Sequence, residues 1–215
     1  MPQSFTRELI ARAVDGPAVF PTPPRFAGVS AAAAVVVPVR LTPVARVLVV
    51  VRALTLADHA GELGFPGGKP EPGELLSNAA TRELGEELAV GSGEVEILGA
   101  LTPIPVVTGK YLITPFVGLL CEGAAPRIVS PELDQIIEVP LAPFFTGSAR
   151  IFGFYTDHRG DPFLLPHFRF GERVLFGASA VILFELIARL AHQLGVALPE
   201  LVVEAERPWG TRYPP

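Results

Sequence analysis

The stretch from Gly61 to Val90 constrains this chain more than any other. A turn, Phe65-Pro66-Gly67-Gly68, leads into a pattern in which Leu76, Ala80, Leu84 and Leu88 recur every fourth residue. That period predicts a helix from Glu74 to Leu88 with an apolar stripe. Glu83, Glu86 and Glu87 fall beside the stripe on one side of the helix, because residues three and four apart are surface neighbours. Like charges so placed repel by about 0.2–0.5 kcal/mol per exposed pair, and by more when enclosed. With only Arg82 nearby, the trio makes sense if a hard divalent cation sits between the carboxylates, since Mg2+ and Mn2+ prefer oxygen ligands. The residue before a proline is pushed to an extended conformation, so a strand should end near Phe65. Paired glycines then allow a tight turn and a close approach of backbone to a ligand, with the Gly67 carbonyl a candidate to face the same cation.

Composition bounds the alternatives. At 215 residues, 49% apolar and 18% charged, the chain can bury a substantial core and is not a disordered segment. A net charge of −5 argues against general nucleic-acid binding. It is compatible with an anionic substrate, because a bound metal reverses the local field. Cys121 is the only cysteine, which excludes an internal disulfide and a thiolate zinc site, and it is expected in a strand as a small hydrophobe. The apolar runs Ala31–Val39 and Val44–Val51 are too short to cross a bilayer and suit buried strands. No secretory signal is evident, and the expectation is a cytoplasmic protein with no membrane partner.

Along the chain, residues 4–14 carry a helical pattern capped near Ser4, followed by a proline-rich connector to Phe26. Strands are expected at about 32–40, 46–51, 95–101 and 112–120, and a hairpin at 151–155 and 163–170. Residues 142–148 read as a short helix or irregular chain. Residues 173–194 are the longest helical pattern, with Val174, Ala178, Ile182, Leu186 and Leu190 inward and a Glu185–Arg189 pair on the outside. The tail from Val196 packs on the surface or on a second subunit, and a homodimer is the expected assembly. Strands on both sides of the acidic helix suggest one α/β domain over 1–215, a mixed sheet between helices, with its core at about 28–195.

Gly68, Glu74, Arg82, Glu83, Leu84, Glu86, Glu87 and Val90 fall in register with the Nudix box, Gx5Ex7REUxEExGU, and Ala89 stands at its last glycine. The segment therefore resembles the Nudix hydrolase family, whose members cleave a diphosphate linked to another moiety. The resemblance implies an α/β/α sandwich with Mg2+ or Mn2+ as cofactor. It implies Glu83, Glu86, Glu87 and the Gly67 carbonyl as metal ligands. Arg82 would hold a glutamate, Glu74 would support the loop, and the general base would be Glu83 or Glu86, or Glu132 or Asp134 from a later loop.

Gly61, Phe65-Pro66-Gly67-Gly68, Arg52, Leu56, His59, Glu138-Val-Pro-Leu141 and Phe176-Gly-Ala-Ser-Ala180 are also similar to the coenzyme A diphosphatase subgroup. That likeness makes Arg52, His59, Gly61, Phe65 and Lys69 the candidate substrate contacts, with Lys110 a further source of positive charge. The subgroup's signature arginine falls on Ala57. Two substrate readings therefore stand: coenzyme A or an acyl derivative, and another nucleoside diphosphate compound such as a dinucleotide, ADP-ribose or a nucleotide sugar. A module that senses a nucleotide without hydrolysing it is the reading from a different class, and the intact glutamate trio argues against it.

Overall fold

Two strands built from continuous apolar runs, β1 (Ala31–Arg40) and β2 (Arg46–Arg52), form the centre, as seen in a computed structural model that describes residues 5–17, 31–106, 111–158 and 161–205. An N-terminal helix α1 (Arg7–Asp15) precedes them. The chain continues through two short strands, β3 (Leu63–Gly64) and β4 (Gly67–Gly68), to helix α2 (Leu76–Leu88). Then come β5 (Val95–Ala100), β6 (Ile104–Pro105), β7 (Tyr111–Leu120), β8 (Leu133–Pro140), β9 (Ile151–His158), β10 (Asp161–Phe170) and β11 (Arg173–Leu175). Helix α3 (Gly177–Leu194) and β12 (Leu201–Val203) complete the described fold. The main sheet is mixed: β1 runs parallel to β7, and the other pairs in it are antiparallel.

The register around β1 and β2 explains where the glycine turn sits. These strands share only Val39↔Val47 and Arg40↔Arg46. β7 occupies the far side of β1, and β8 the far side of β2. In the opening left as β1 and β2 part, β3 pairs with Val50 and Val51 while β4 pairs with Ala34 and Val35. The Phe65-Pro66 link is thus wedged between the two central strands, and the turn inherits their rigidity.

Both faces of the sheet are covered, which is why β2 reads as an unbroken apolar run rather than an alternating one. Leu48 and Val50 face α2 through Ala80, Leu84 and Leu88. Val47, Val49 and Val51 face the opposite core, with Leu9, Ile10, Ala13 and Val14 of α1 and Ile182, Leu183, Leu186 and Leu190 of α3. This is the expected helix–sheet–helix layering, with β5 and β7 also near their expected positions. Helix α1 starts later than expected, capped by Thr6, whose hydroxyl accepts from the Leu9 N–H. Ser4, the proline-rich connector beyond Pro17, Lys110, Arg159 and Trp209 lie outside the described residues.

Several expectations are corrected. Glu185 and Arg189 are not on the outside: they are 1% and 6% exposed and form a buried ion pair at 2.6 Å. Arg189 also donates to the carbonyls of Val14 (2.6 Å) and Gly16 (2.8 Å), while Glu185 accepts from the Thr102 hydroxyl (2.7 Å). The reason is that α3 is apolar nearly all round, so its polar residues are buried with the rest. By length and composition α3 would also pass for a membrane span, but 61% of it is buried inside the protein. Residues 133–140, where no strand is expected from the sequence, form a strand along the whole of β2, with Asp134 the extra residue where the register shifts. Cys121 lies just after β7 and is exposed. The hairpin extends to a second sheet, in the order β11-β10-β9-β12, with the tail strand parallel to β9.

Candidate active site

Helix α2 carries its acids towards the wedge made by β3 and β4. Its buried stripe of Ala80, Leu84 and Leu88 fixes the rotation of the helix, and that leaves Arg82, Glu83, Glu86 and Glu87 on the adjoining side. The Arg82 guanidinium is the hub. Nε–H donates to Glu74 Oε1 and Nη2 to Glu74 Oε2, both at 3.1 Å. Nη1 donates to Glu83 Oε1 (3.1 Å) and Glu86 Oε2 (3.2 Å), and Nη2 also to the Lys69 carbonyl (3.1 Å). Five hydrogen bonds match the five N–H groups an arginine offers, a geometry no lysine can copy. These bonds hold the guanidinium pKa above its ordinary value. Glu74, hydrogen-bonded by Arg82 and by the Glu71 N–H (2.8 Å), is held below the usual carboxylate range.

The glycines serve different partners. A side chain on Gly67 would collide with the Ala34 carbonyl of β1, and one on Gly68 would collide with the Glu83 carboxylate. The turn therefore admits both the strand and the acid only because neither residue has a Cβ. The Gly67 N–H donates to Glu87 Oε2 at 3.0 Å. Glu87 is 7% exposed, and burial, with Glu83 and Glu132 adding repulsion, pushes its carboxyl up to about 7 despite that hydrogen bond and nearby Arg52.

Arg52 stands at the end of β2, 3.5 Å from Glu132, whose carbonyl accepts from the Ala53 N–H. The loop before β8 thus folds back towards the acids, as required of Glu132 if it is to act there, whereas Asp134 is exposed at the register shift. His59 is exposed and contacts Glu62 at 2.9 Å, and the Gly61 N–H donates to the Arg52 carbonyl. Phe65, expected as a substrate contact, is instead a core residue, 7% exposed and packed with the α3 side of the sheet. Its ring supports the turn from beneath. Lys69 is exposed, its ammonium 5.1 Å from the centre of the Tyr111 ring, and the phenol raises its pKa. Tyr111 was not singled out from the sequence; its place at the head of β7, directly after Gly109-Lys110, was the available signal.

Among the described residues, no three acidic, histidine or cysteine side chains converge closely enough to enclose an ion as they stand. Arg82 draws the carboxylates of Glu83 and Glu86 to one nitrogen, while Glu87 turns to the Gly67 N–H. The group nevertheless suits a hard cation. Its donors are all oxygen, Glu87 has no ion-pair partner among the described residues, and the Glu86 side chain is 59% exposed.

Helix α2 ends on Ala89 in a left-handed conformation (φ 53°), with its N–H on the Gly85 carbonyl. A side chain is strained there and glycine is not. Ala89→Gly is expected to stabilise the fold by about 1 kcal/mol in urea denaturation; an unchanged or lower midpoint would show that the strain is absorbed elsewhere.

This arrangement, an acid-bearing helix locked against a diglycine turn in a mixed sheet, has counterparts. A profile described as NUDIX domain matches residues 30–142, more than half the chain. Nudix hydrolase NudL of Photorhabdus laumondii, named as uncharacterized, is 32% identical over 169 residues, covering 77% of this chain and 88% of that protein. The protein of the same name from Escherichia coli (strain K12 / DH10B) is 33% identical over 166 residues, covering 76% and 83%. Among solved structures, a C. elegans Ap4A hydrolase binary complex is similar with a TM-score of 0.43 and 22% identity, covering 52% of this chain and 81% of that one. The NUDIX domain of Shewanella oneidensis NrtR complexed with ADP ribose gives 0.43 and 22%, covering 53% and 74%. Scores this low carry no inference about substrate. The profile and the relatives together are decisive: the chain belongs to the Nudix hydrolase family. Its members are enzymes that act on small nucleotide substrates, nucleoside diphosphate derivatives, and they generally use divalent ions such as Mg2+ or Mn2+.

Proposed function

We propose that this hydrolase is a metal-dependent diphosphatase that cleaves coenzyme A or an acyl-coenzyme A to adenosine 3′,5′-bisphosphate and the (acyl-)4′-phosphopantetheine. The supporting observation is the glycine wedge: the FPGG turn sits between the two central strands and brings Gly67 and Gly68 against Glu87 and Glu83. In this reading Glu83, Glu86, Glu87 and the Gly67 carbonyl hold Mg2+ or Mn2+. When bound, such an ion neutralises phosphate oxygens and lowers the pKa of a water.

The chain's own residues do the remaining work. Arg82 keeps Glu74 and Glu83 in fixed relation to the turn through its five hydrogen bonds, so positions are set before substrate arrives. Water attacks one phosphorus of the diphosphate, the bond from that phosphorus to the bridging oxygen breaks, and the bridging oxygen leaves with the other phosphate. The proton released by the water passes to a carboxylate, with Glu83, Glu86 and Glu132 the candidates within the acid group and the loop that folds back on it. Arg52 and Lys69 supply positive charge to a polyanionic substrate, and His59 and Gly61 shape the loop beside them.

One observation favours a second reading. Ala57, where the subgroup's arginine would be, is exposed in the loop after β2 and offers no charge. Another nucleoside diphosphate derivative would then be the preferred substrate. Chromatography of coenzyme A incubated with the enzyme separates the two. Metal-dependent appearance of adenosine 3′,5′-bisphosphate is the expected result. Intact coenzyme A beside cleaved ADP-ribose or dinucleotide would replace the first reading with the second.

A further inference from the structure

Lys69 and Tyr111 form a pair that the hydrolytic step does not use. The chain contains only two lysines, Lys69 and Lys110, against 15 arginines, and only Lys69 is among the described residues. Arginines at positions 7, 46, 52, 82, 169 and 189 are committed to carboxylates. Among the described residues, no carboxylate lies within ion-pair distance of Lys69. Its ammonium stands over the Tyr111 ring at 5.1 Å, an attraction that orients a cation without neutralising it.

Both partners are anchored by backbone. The Lys69 carbonyl accepts from Arg82, and Lys69 follows directly on Gly68, which lies against Glu83. Tyr111 pairs with Ala31 at the start of the parallel β1–β7 ladder, and its carbonyl accepts from the Val106 N–H. A lysine set against a tyrosine keeps N–H donors for a further partner, and its ammonium is a compact point charge that can bind a phosphate oxygen. The pair is therefore an exposed, oriented, unneutralised cation joined through one backbone unit to the acid group.

We infer that Lys69, held by Tyr111, binds a phosphate monoester on the nucleoside end of the substrate, distinct from the diphosphate that is cleaved. This rests on the proposed coenzyme A reading, in which the 3′-phosphate is that group. It makes Lys69 a specificity residue and Tyr111 a positioning residue. It also gives the molecule a source of positive charge to stand in for the arginine absent at Ala57.

The test compares kcat/KM for coenzyme A and for dephospho-coenzyme A, which lacks only the 3′-phosphate, in the wild type, Lys69→Gln, Lys69→Arg and Tyr111→Leu. A lost charge-assisted hydrogen bond is about a tenfold effect. The ratio of the two kcat/KM values is expected to fall about tenfold towards dephospho-coenzyme A in Lys69→Gln, mostly through KM. Tyr111→Leu should lower it by a smaller factor, and Lys69→Arg should restore part of it. A ratio within twofold of wild type in Lys69→Gln, with both compounds still cleaved, overturns this inference and leaves the proposed function standing. If the wild type cleaves neither compound, the proposed function falls and this inference falls with it.

Discussion

Replacing Glu86 by glutamine is expected to lower kcat/KM about a hundredfold or more. The substitution removes a charge and keeps the shape, at a side chain that is 59% exposed and, among the described residues, bonded to Arg82 alone. The fold should therefore be untouched, with circular dichroism and thermal midpoint as in the wild type. What changes is the negative charge available to hold the divalent cation that would face the developing charge on the phosphoryl group, where a single electrostatic contact is worth two to three orders of magnitude, roughly 2.7–4 kcal/mol. Initial rates at saturating Mn2+ and direct titration of Mn2+ binding distinguish the reasons for a loss. Weaker Mn2+ binding together with the lost rate assigns Glu86 to the cation. A rate within tenfold of wild type would remove Glu86 from the chemistry and shift the weight to Glu83, Glu87 and Glu132.

The largest expected effect on stability lies far from the acids, at Arg189→Ala. The arginine is 6% exposed and satisfies three groups at once: the Glu185 carboxylate and the carbonyls of Val14 and Gly16. Among the described residues, truncation leaves a buried carboxylate with Thr102 alone for a partner, and breaking a buried pair in this way costs about 3–5 kcal/mol. Urea denaturation measures it. Replacing both members by apolar residues should cost less than Arg189→Ala alone, because no unpaired charge then remains. A loss below about 1 kcal/mol for the single change would mean that water reaches Glu185 and the pair is not the fastening described above.

Much of this arrangement can be read from the residues, and the exceptions have physical causes. The β1 and β2 runs, the helix from Leu76 and the acid spacing are local patterns, and local periodicity is what a sequence displays openly. Glu185 and Arg189 look like an ordinary exposed four-apart pair until the surrounding Ala180 to Ala191 is seen to be apolar nearly all round. Residues 133–140 alternate weakly, with Gln135 and Glu138 among the apolar residues, and become a strand because β2 offers an edge along its whole length. Phe65 illustrates the opposite failure: a motif position beside the glycines is drawn into the core because Pro66 and β3 turn it inward. The approach of Glu132 to Arg52, and of Tyr111 to Lys69, joins positions some 40 to 80 apart in sequence, and only the completed sheet brings them together.

The clasp between Arg189 and the end of α1 has a consequence for how the chain is made. Val14 is 175 positions upstream of the guanidinium that caps it. During synthesis the first helix leaves the ribosome with its apolar side uncovered, and its partner is not yet translated. The segment that holds α1 must therefore wait for its clasp until the chain through Arg189 has emerged.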